Sequence, residues 1–371
     1  MELCRRIVRE LVGIDSTFGN EAAIGRYVRG LFEHRGYRVT EQEIAGDSDQ
    51  SRTSRRHNLI IERGNPRLWF FGHLDTVIPS PEQAAQWAQS PFVPVERDGR
   101  IYGLGSADMK GGIAAFLATV LESEPSHIGI ALTCDEEGKF AGIQALIDAG
   151  TFTDRKAELA IFAEPTDLQI INTHRGCIEI EIGAHGRAAH AAMPDLGVDA
   201  SRLYLCVDAL RTELDASYPG STVNLGYFRA GEPDTINVVP EHAHAVIDIR
   251  PNASLQAAGA EWLTHRLEQL ANDKGLDLTL EVTIDMSPLD VSPDELGPLA
   301  QAVRATDIEV RYADLRGTSE AGQIRHAYGF ACVNFGPGPM TMSHRVDEYV
   351  EIESLARCKG VFERLVRALG R

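Results

Sequence analysis

Three apolar, strand-like runs in the first half of the chain are each followed by acidic or histidine residues. The runs and the residues after them are 67–71 with His73 and Asp75, 128–133 with Asp135, Glu136 and Glu137, and 158–162 with Glu164. A helical pattern from about 109 to 123 lies between the first two runs, and this alternation of strand and helix predicts an open, mostly parallel α/β sheet with flanking helices. Because ligands gather at the carboxyl ends of strands in such sheets, we expect these side chains to meet at one site.

The middle of the chain follows a different pattern. Strands are predicted at 177–184, 221–229, 242–249 and 277–284, and helices at 199–214 and 254–272. This β-α-β-β-α-β order is typical of a ferredoxin-like α+β domain. Since 371 residues exceed what one hydrophobic core usually organises, we predict two domains. Residues 1–174 and 285–371 form the discontinuous α/β domain, and residues 175–284 form an inserted one.

Charge and composition exclude several classes of protein. The net charge is −18, which argues against a nucleic-acid partner because phosphate binding needs a basic field. No run approaches the ~20 apolar residues of a membrane-spanning helix, and the charged amphipathic N-terminus lacks the apolar core of a secretory signal. Six cysteines without paired spacing predict reduced thiols. We therefore expect a cytoplasmic protein without a membrane partner. The polar segment 44–57 predicts a mobile loop.

Five short patches carry the metal-binding chemistry of the chain. They lie at residues 71–77, 105–112, 133–138, 163–166 and 342–348, and together they supply two histidines and several carboxylates. A two-metal hydrolytic site needs oxygen ligands, a few nitrogen ligands, a bridging carboxylate and a separate base for the water. Each residue alone would be interpreted as a surface or capping residue. The ordered set indicates a metal-dependent amidohydrolase.

Two pairs of neighbouring residues suit a division of roles. In extended backbone, Glu136 and Glu137 would point to opposite sides, so that one ligates while the other reaches the water. The two roles could be swapped, or Glu136 could be only a solvated neighbour. By the same period of two, His73 and Asp75 share a face, which suits a carboxylate that supports a ligating imidazole. Asp75 could instead cap the following turn.

The patches together resemble the dinuclear zinc aminoacylase/carboxypeptidase family, the M20-type metallopeptidases, over essentially the whole chain. Residues 101–111 are most similar to the acetylornithine deacetylase branch of the family. Succinyl-diaminopimelate desuccinylase is a related member of that branch. The segments 164–166, 186–190, 236–240 and 335–338 are shared more widely in the family.

The resemblance implies a role for each residue of the metal patches. The implied ligands are His73, Asp108 and Glu164 for one ion, and Asp108, Glu137 and His344 for the other, with Asp108 bridging. Glu136 would be the general base, and Asp75 would orient His73. A cis peptide after Asp108 is also implied. Two zinc ions are implied, although a set of histidine and carboxylate ligands also accommodates cobalt or manganese.

The inserted domain supplies further residues by the same resemblance. His190 is similar to a histidine that reaches across a homodimer formed through this domain and stabilises the tetrahedral oxyanion. Asn237, Arg250 and, at the domain junction, Arg175 would hold the carboxylate or acyl oxygen of the substrate. Alternatively, His190 and Asn237 are only exposed polar residues, and Arg250 only pairs with Asp248 on its own strand.

The resemblance implies removal of an N-acyl group from a small N-acyl amino acid, with acetyl release from N-acetylornithine in arginine biosynthesis as the first interpretation. Three alternatives stay open. They are desuccinylation of succinyl-diaminopimelate or deacylation of another N-acyl amino acid, a metal-dependent carboxypeptidase or dipeptidase, and a non-catalytic ligand-binding relative. A non-catalytic relative would have no physical need for an unligated base such as Glu136.

Overall fold

The three apolar runs at 67–71, 128–133 and 158–162 form buried strands in the computed structural model, which describes residues 1–44 and 56–371. The α-helices are α1 (Glu2–Val12), α2 (Ala22–Phe32), α3 (Pro81–Ala84), α4 (Gly111–Ser123), α5 (Ala141–Asp148), α6 (Leu203–Ser217), α7 (Ala253–Asn272), α8 (Gly297–Arg304), α9 (Ala321–Tyr328) and α10 (Ile352–Leu369). None of these helices has the length and apolar character that crossing a bilayer requires, within the described part of the chain.

The strands fall into three sheets. In chain order they are β1 (Arg38–Ile44), β2 (Arg56–Arg63), β3 (Leu68–His73), β4 (Val95–Arg97), β5 (Arg100–Tyr102), β6 (Ile128–Thr133), β7 (Leu159–Phe162), β8 (Ile170–His174), β9 (Cys177–His185), β10 (Thr222–Ala230), β11 (His242–Arg250), β12 (Asp277–Met286), β13 (Leu289–Asp290), β14 (Tyr312–Leu315), β15 (Cys332–Asn334) and β16 (Tyr349–Glu351). The predicted mobile loop at 44–57 overlaps both β1 and β2, and its residues 45–55 lie outside the described residues.

The described chain divides into two compact units. The first consists of Met1–His174, Leu289–Leu315 and Ser319–Arg371, and the second of Arg175–Pro288 and Arg316–Thr318. The second unit therefore extends beyond the predicted boundary at residue 284, because β12 continues to Met286. It also takes in a three-residue segment that the sequence pattern does not mark.

The first unit is built on a mixed nine-stranded sheet in the order β1-β2-β6-β3-β7-β15-β8-β13, with β14 paired to β8. The neighbours β6, β3, β7 and β15 are parallel, and the outer strands β1, β2 and β13 pair antiparallel. Every residue of β3, β6 and β7 is buried. Strands covered on both faces are continuous apolar runs rather than alternating ones, which is the pattern that these segments show.

Aromatic side chains fix β3 between layers on its two faces. Phe70 stacks on Phe116 of α4, with ring centroids 5.2 Å apart, and meets Phe362 of α10 edge-on at 4.9 Å. Trp69 and Phe71 point to the other face and contact Phe152. Because α4 is buried over nearly its whole surface, its apolar sequence has no polar face. This packing fixes the end of β3, where His73 lies.

The second unit is a four-stranded antiparallel sheet in the order β10-β11-β9-β12, covered by α6 and α7. The chain order β9-α6-β10-β11-α7-β12 is the ferredoxin-like arrangement. Alternate residues of β11 form its apolar face: Ala243, Ala245, Ile247 and Ile249 are all buried in the core of this unit.

Candidate metal centre

The first unit brings together all five side chains that the sequence predicts as metal ligands. His73 ends β3, and Asp108 lies in a π-helical turn, Ser106–Lys110, that precedes α4. Glu137 and Glu164 follow β6 and β7, and His344 precedes β16. Three sets have ligand atoms within 4.8 Å of one another: His73, Asp108 and Glu164; Asp108, Glu137 and His344; and His73, Glu136 and Glu137.

The Asp108 carboxylate lies between the two imidazoles. Its Oδ1 is 3.3 Å from Nε2 of His73, and its Oδ2 is 3.7 Å from Nε2 of His344. Nε2 of His344 is also 3.0 Å from the Glu137 carboxylate, and Nε2 of His73 is 4.0 Å from the Glu164 carboxylate. One carboxylate with one oxygen toward each nitrogen ligand has the arrangement of a bridging ligand. The peptide bond between Asp108 and Met109 is cis, as the family resemblance implies.

The electrostatics of this cluster fit bound cations. Burial raises the pKa of Glu164 to about 8 and that of Glu136 well above its usual range, and the neighbouring carboxylates add to both shifts. Burial disfavours the charged form of His73, but Glu136, Asp108 and Glu164 outweigh it and raise the pKa of that imidazole. The hydrogen bond with Glu137 raises the pKa of His344 to about 9. Converging carboxyl groups with raised pKa values are a set of ligands from which divalent cations would displace the protons.

Asp75 acts on the neighbouring loop more directly than on His73. Its Oδ1 accepts the backbone N–H of Glu136 at 3.2 Å, and its Oδ2 accepts that of Glu137 at 2.9 Å. Nδ1 of His73 lies 3.0 Å from the main-chain oxygen of Asp75 and 3.7 Å from its carboxylate. The main-chain oxygen is thus the closer partner of the imidazole, while the carboxylate holds the backbone of the two glutamates.

The loop after β6 is a turn, so the expectation of extended backbone at Glu136 and Glu137 is wrong. Both carboxylates nevertheless face the cluster. Asp135 adopts a positive φ of 72° and accepts the N–H of Ala141 at 2.9 Å. Nη2 of the buried Arg56 lies 2.7 Å from Oδ1 of Asp135. This ion pair holds the start of the loop in place.

No specific role was predicted for Arg56, Asp135 or Glu320. Asp135 belongs to the group of side chains expected at the strand ends, and Glu320 belongs to a stretch, 317–320, that resembles a substrate loop. Glu320 is 2% exposed, and its Oε2 accepts the hydroxyl of Thr133 at 2.8 Å. Burial raises the pKa of Glu320 to about 8, and its Oε1 has no hydrogen-bond partner within the described chain. The signal that could have found these residues is a charged side chain adjoining an apolar run, which is weak in a single sequence.

The remaining predicted residues all belong to the second unit. His190 and Asn237 are exposed and adjacent there, since the N–H of Ala191 donates to the main-chain oxygen of Asn237 at 2.8 Å. Nε and Nη2 of Arg250 both donate to the Asp248 carboxylate at 2.8 Å, which is the alternative pairing that the strand pattern suggests. Nη1 of Arg175 donates to the main-chain oxygen of Gly220 at 3.0 Å.

Known proteins are similar to this chain in both sequence and fold. The chain is 31% identical to succinyl-diaminopimelate desuccinylase of Bordetella petrii, over 98% of this chain and 97% of that protein. It is 29% identical to acetylornithine deacetylase of Myxococcus xanthus, over 98% and 96%. A tripeptidase of Staphylococcus aureus superposes with a TM-score of 0.78 at 22% identity, covering 100% of this chain and 98% of that one.

Residues 69–368 also match the sequence pattern described as Peptidase family M20/M25/M40. This span contains every residue of the candidate metal centre. Both the matched length and the identity to the Bordetella petrii enzyme go well beyond a local motif. The chain therefore belongs to peptidase family M20/M25/M40 and is a metal-dependent hydrolase of amide bonds.

Proposed function

We propose that this protein removes an N-acyl group from an amino acid with the help of two metal ions, and that N-acetylornithine is its substrate. The observation that carries the proposal is Asp108, whose two oxygens face two different histidines. Glu136 stands beside this arrangement, with its Oε2 4.0 Å from Nε2 of His73. The family depends on two metal ions, and the donor set fits them.

In this proposal the five ligands hold the ions and Glu136 moves the proton. His73, Asp108 and Glu164 hold one ion, and Asp108, Glu137 and His344 hold the other. When bound, the ions supply a Lewis acid that polarises the amide carbonyl and acidifies a water molecule. Zinc is the proposed metal, and cobalt or manganese would also suit the ligands.

Glu136 accepts the proton of the attacking water and then passes it to the leaving nitrogen of the amide. Without metal, burial and the neighbouring carboxylates raise the pKa of this residue; bound cations would lower it again, so that the carboxylate is free to accept the proton. Asp75 fixes the loop by accepting the N–H groups of both glutamates. A general base held in this way needs little reorganisation during the reaction.

Four residues of the second unit complete the proposal. His190 donates a hydrogen bond to the oxyanion from the other subunit of a homodimer, and Asn237, Arg250 and Arg175 bind the carboxylate or acyl oxygen of the substrate. Arg250 suits a carboxylate because its guanidinium is planar and forked, although Asp248 already pairs with it.

We also place the protein in the cytoplasm, because its six cysteines are all buried and unpaired.

The similarity of residues 101–111 to the acetylornithine deacetylase branch supports acetyl release, and so does the Myxococcus xanthus relative. Desuccinylation of succinyl-diaminopimelate is the second candidate, since a desuccinylase matches at 31% identity. The two reactions share the amide chemistry and differ in the size and charge of the acyl group. A direct comparison of the two substrates separates these reactions.

The test is a substrate panel with zinc-reconstituted protein. N-acetylornithine, N-succinyl-diaminopimelate and simple dipeptides are compared by kcat/KM, and released acetate, succinate and free amino acids are measured separately. Highest kcat/KM on N-acetylornithine is the expected result, and preferential succinate release would establish the second candidate. Cleavage of dipeptides alone would contradict deacylation, and no cleavage of any compound by zinc-loaded protein would favour a non-catalytic relative.

A further inference from the structure

Glu348 is a buried carboxyl group to which the chemistry above gives no role. It is 1% exposed and directly precedes β16. Its Oε1 accepts the backbone N–H groups of Ala107 at 2.8 Å and Asp108 at 3.0 Å, and its Oε2 accepts that of Gly105 at 2.9 Å. Two of the donors belong to the turn that carries Asp108, and Gly105 directly precedes it. One side chain therefore holds this turn by three hydrogen bonds.

The same residue also joins two distant segments through its backbone. Its main-chain oxygen accepts the N–H of Gly103 at 3.0 Å. Immediately beyond it, β16 pairs antiparallel with β5, with Tyr349 opposite Tyr102. One of the two segments runs from His344 to Glu348. The other is the stretch 103–108, which ends in Asp108. Nε2 of His344 and Oδ2 of Asp108 are 3.7 Å apart. These two groups thus belong to two segments of the chain that are joined at Glu348.

Lys110 supplies a positive charge close to this carboxyl group. The lysine is fully buried, and its Nζ donates to the main-chain oxygen of Ile14 at 3.1 Å. Burial lowers the pKa of Lys110 to about 8, and the charge of Glu348 opposes that shift. Burial and the charge of Asp108 raise the pKa of Glu348 to about 8, although its three N–H donors favour the carboxylate form. Glu348 therefore holds the turn through its three hydrogen bonds and not through its charge.

We infer that Glu348 is a positioning residue that sets the spacing between Asp108 and His344 for metal binding. The inference rests on the proposed function, in which these two residues share an ion. Glu348 is not itself a ligand, because both of its oxygens accept N–H groups of the backbone. It acts through the Asp108 turn, as the hydrogen-bond partners of metal ligands commonly do.

The test compares zinc binding by the whole protein with Glu348 and its neighbour Glu351 altered. Glu348→Gln places an NH2 group against backbone N–H donors, so that at least one hydrogen bond is lost. Glu351→Gln is the matched control, because Glu351 lies on β16 and makes an exposed pair with Arg100. Competition with a chromophoric chelator measures zinc affinity, and the absorption spectrum of the cobalt-loaded protein reports ligand geometry.

The expected result for Glu348→Gln is a roughly 10- to 100-fold loss of affinity in at least one zinc-binding step, with an altered cobalt spectrum. Excess zinc should restore part of its turnover. Glu351→Gln should bind zinc as the unaltered protein does. Glu348→Asp keeps the carboxylate but shortens it, so its zinc affinity should lie between those of Glu348→Gln and the unaltered protein.

Three outcomes would overturn the inference. Zinc affinity and cobalt spectrum unchanged in Glu348→Gln would exclude a positioning role while leaving the proposed function intact. Failure of both Glu348 variants to give a native circular dichroism spectrum and cooperative urea unfolding would make Glu348 a structural residue. Failure of the unaltered protein to bind two zinc ions would instead overturn the proposed function, and this inference with it.

Discussion

At the scale of single residues, two aspartates hold the loop that carries Glu136 and Glu137. Asp75 accepts the N–H groups of both glutamates, and Asp135 accepts the N–H of Ala141, where α5 begins. Carboxylates that accept backbone N–H groups make charge-assisted hydrogen bonds, which are stronger than neutral ones. The loop is therefore fixed at both ends while its two carboxylates stay directed at the cluster.

Replacing the proposed base should separate catalysis from metal binding. Glu136→Gln keeps the size of the side chain but removes its proton affinity, so we expect kcat to fall by about 10²- to 10⁴-fold. Zinc content, measured by atomic absorption, should remain at two ions per chain. The control Glu33→Gln alters an exposed surface pair and should change neither value. Loss of zinc in Glu136→Gln would place Glu136 among the ligands, and turnover close to normal would remove it as the base.

Zinc binding should become tighter as the pH rises. Without metal, burial raises the pKa of Glu164 to about 8, and the hydrogen bond with Glu137 raises that of His344 to about 9. Both groups must lose their protons before they can ligate, so protons compete with zinc below these values. Between about pH 6 and 8 the affinity should rise, and binding should release protons. Titration calorimetry in buffers of different ionisation enthalpy measures the release; an affinity independent of pH would contradict the prediction.

At the scale of elements, close backbone contact determines how α4 approaches the sheet. Gly112 lies in the first turn of α4, and a Cβ added there would be 2.0 Å from the main-chain oxygen of Ala163. Ala163 directly precedes Glu164. The helix that follows Asp108 thus contacts the strand end that supplies Glu164, and the contact has no room for a methyl group.

Gly112→Ala should therefore destabilise the fold by about 1–3 kcal/mol, because the overpacked methyl group forces the backbone apart. Gly30→Ala is the matched control, since this glycine lies in the exposed face of α2 and a Cβ there meets nothing within 4 Å. It should stabilise the fold by about 0.4–1 kcal/mol. Urea unfolding measures both effects. An unchanged midpoint for Gly112→Ala would show that α4 can move away from Ala163 at no cost.

At the scale of the whole molecule, the second unit exposes apolar side chains. Leu205 and Tyr204 of α6 are 52% and 48% exposed, and Ile236 is 88% exposed. β10 is an edge strand of the sheet in this unit. Exposed apolar residues and an edge strand are features of surfaces that associate. They support the proposed homodimer through the second unit.

A homodimer with shared sites should allow two inactive variants to rescue each other. Mixing His190→Ala with Glu136→Gln and allowing the subunits to exchange should form heterodimers with one intact site of two. Because half of the dimers would be mixed, we expect about a quarter of the normal turnover. Mixing His73→Ala with Glu136→Gln is the control, since both changes affect residues of one unit and no intact site can form. Absence of rescue in the first mixture would indicate that each chain works alone.

The local features of this fold could be predicted from the sequence because short-range sterics and burial produce them. The buried strands β3, β6 and β7 follow from their apolar runs, and the two faces of β11 follow from its period of two. α4 begins two residues later than predicted, since the cis peptide lies inside a separate π-helical turn. α5, α8 and α9 were not predicted, because their segments are short and lie among turns.

The sequence alone determined which residues are available for metal binding and in what order, since each patch follows a pattern within a few residues. Only the tertiary structure decided their partners. Glu348 contacts Asp108 across 240 positions of the chain, and Asp75 holds Glu136 and Glu137 rather than only His73. Contacts of this kind depend on how buried strands and helices pack into layers, which no local pattern of side chains encodes.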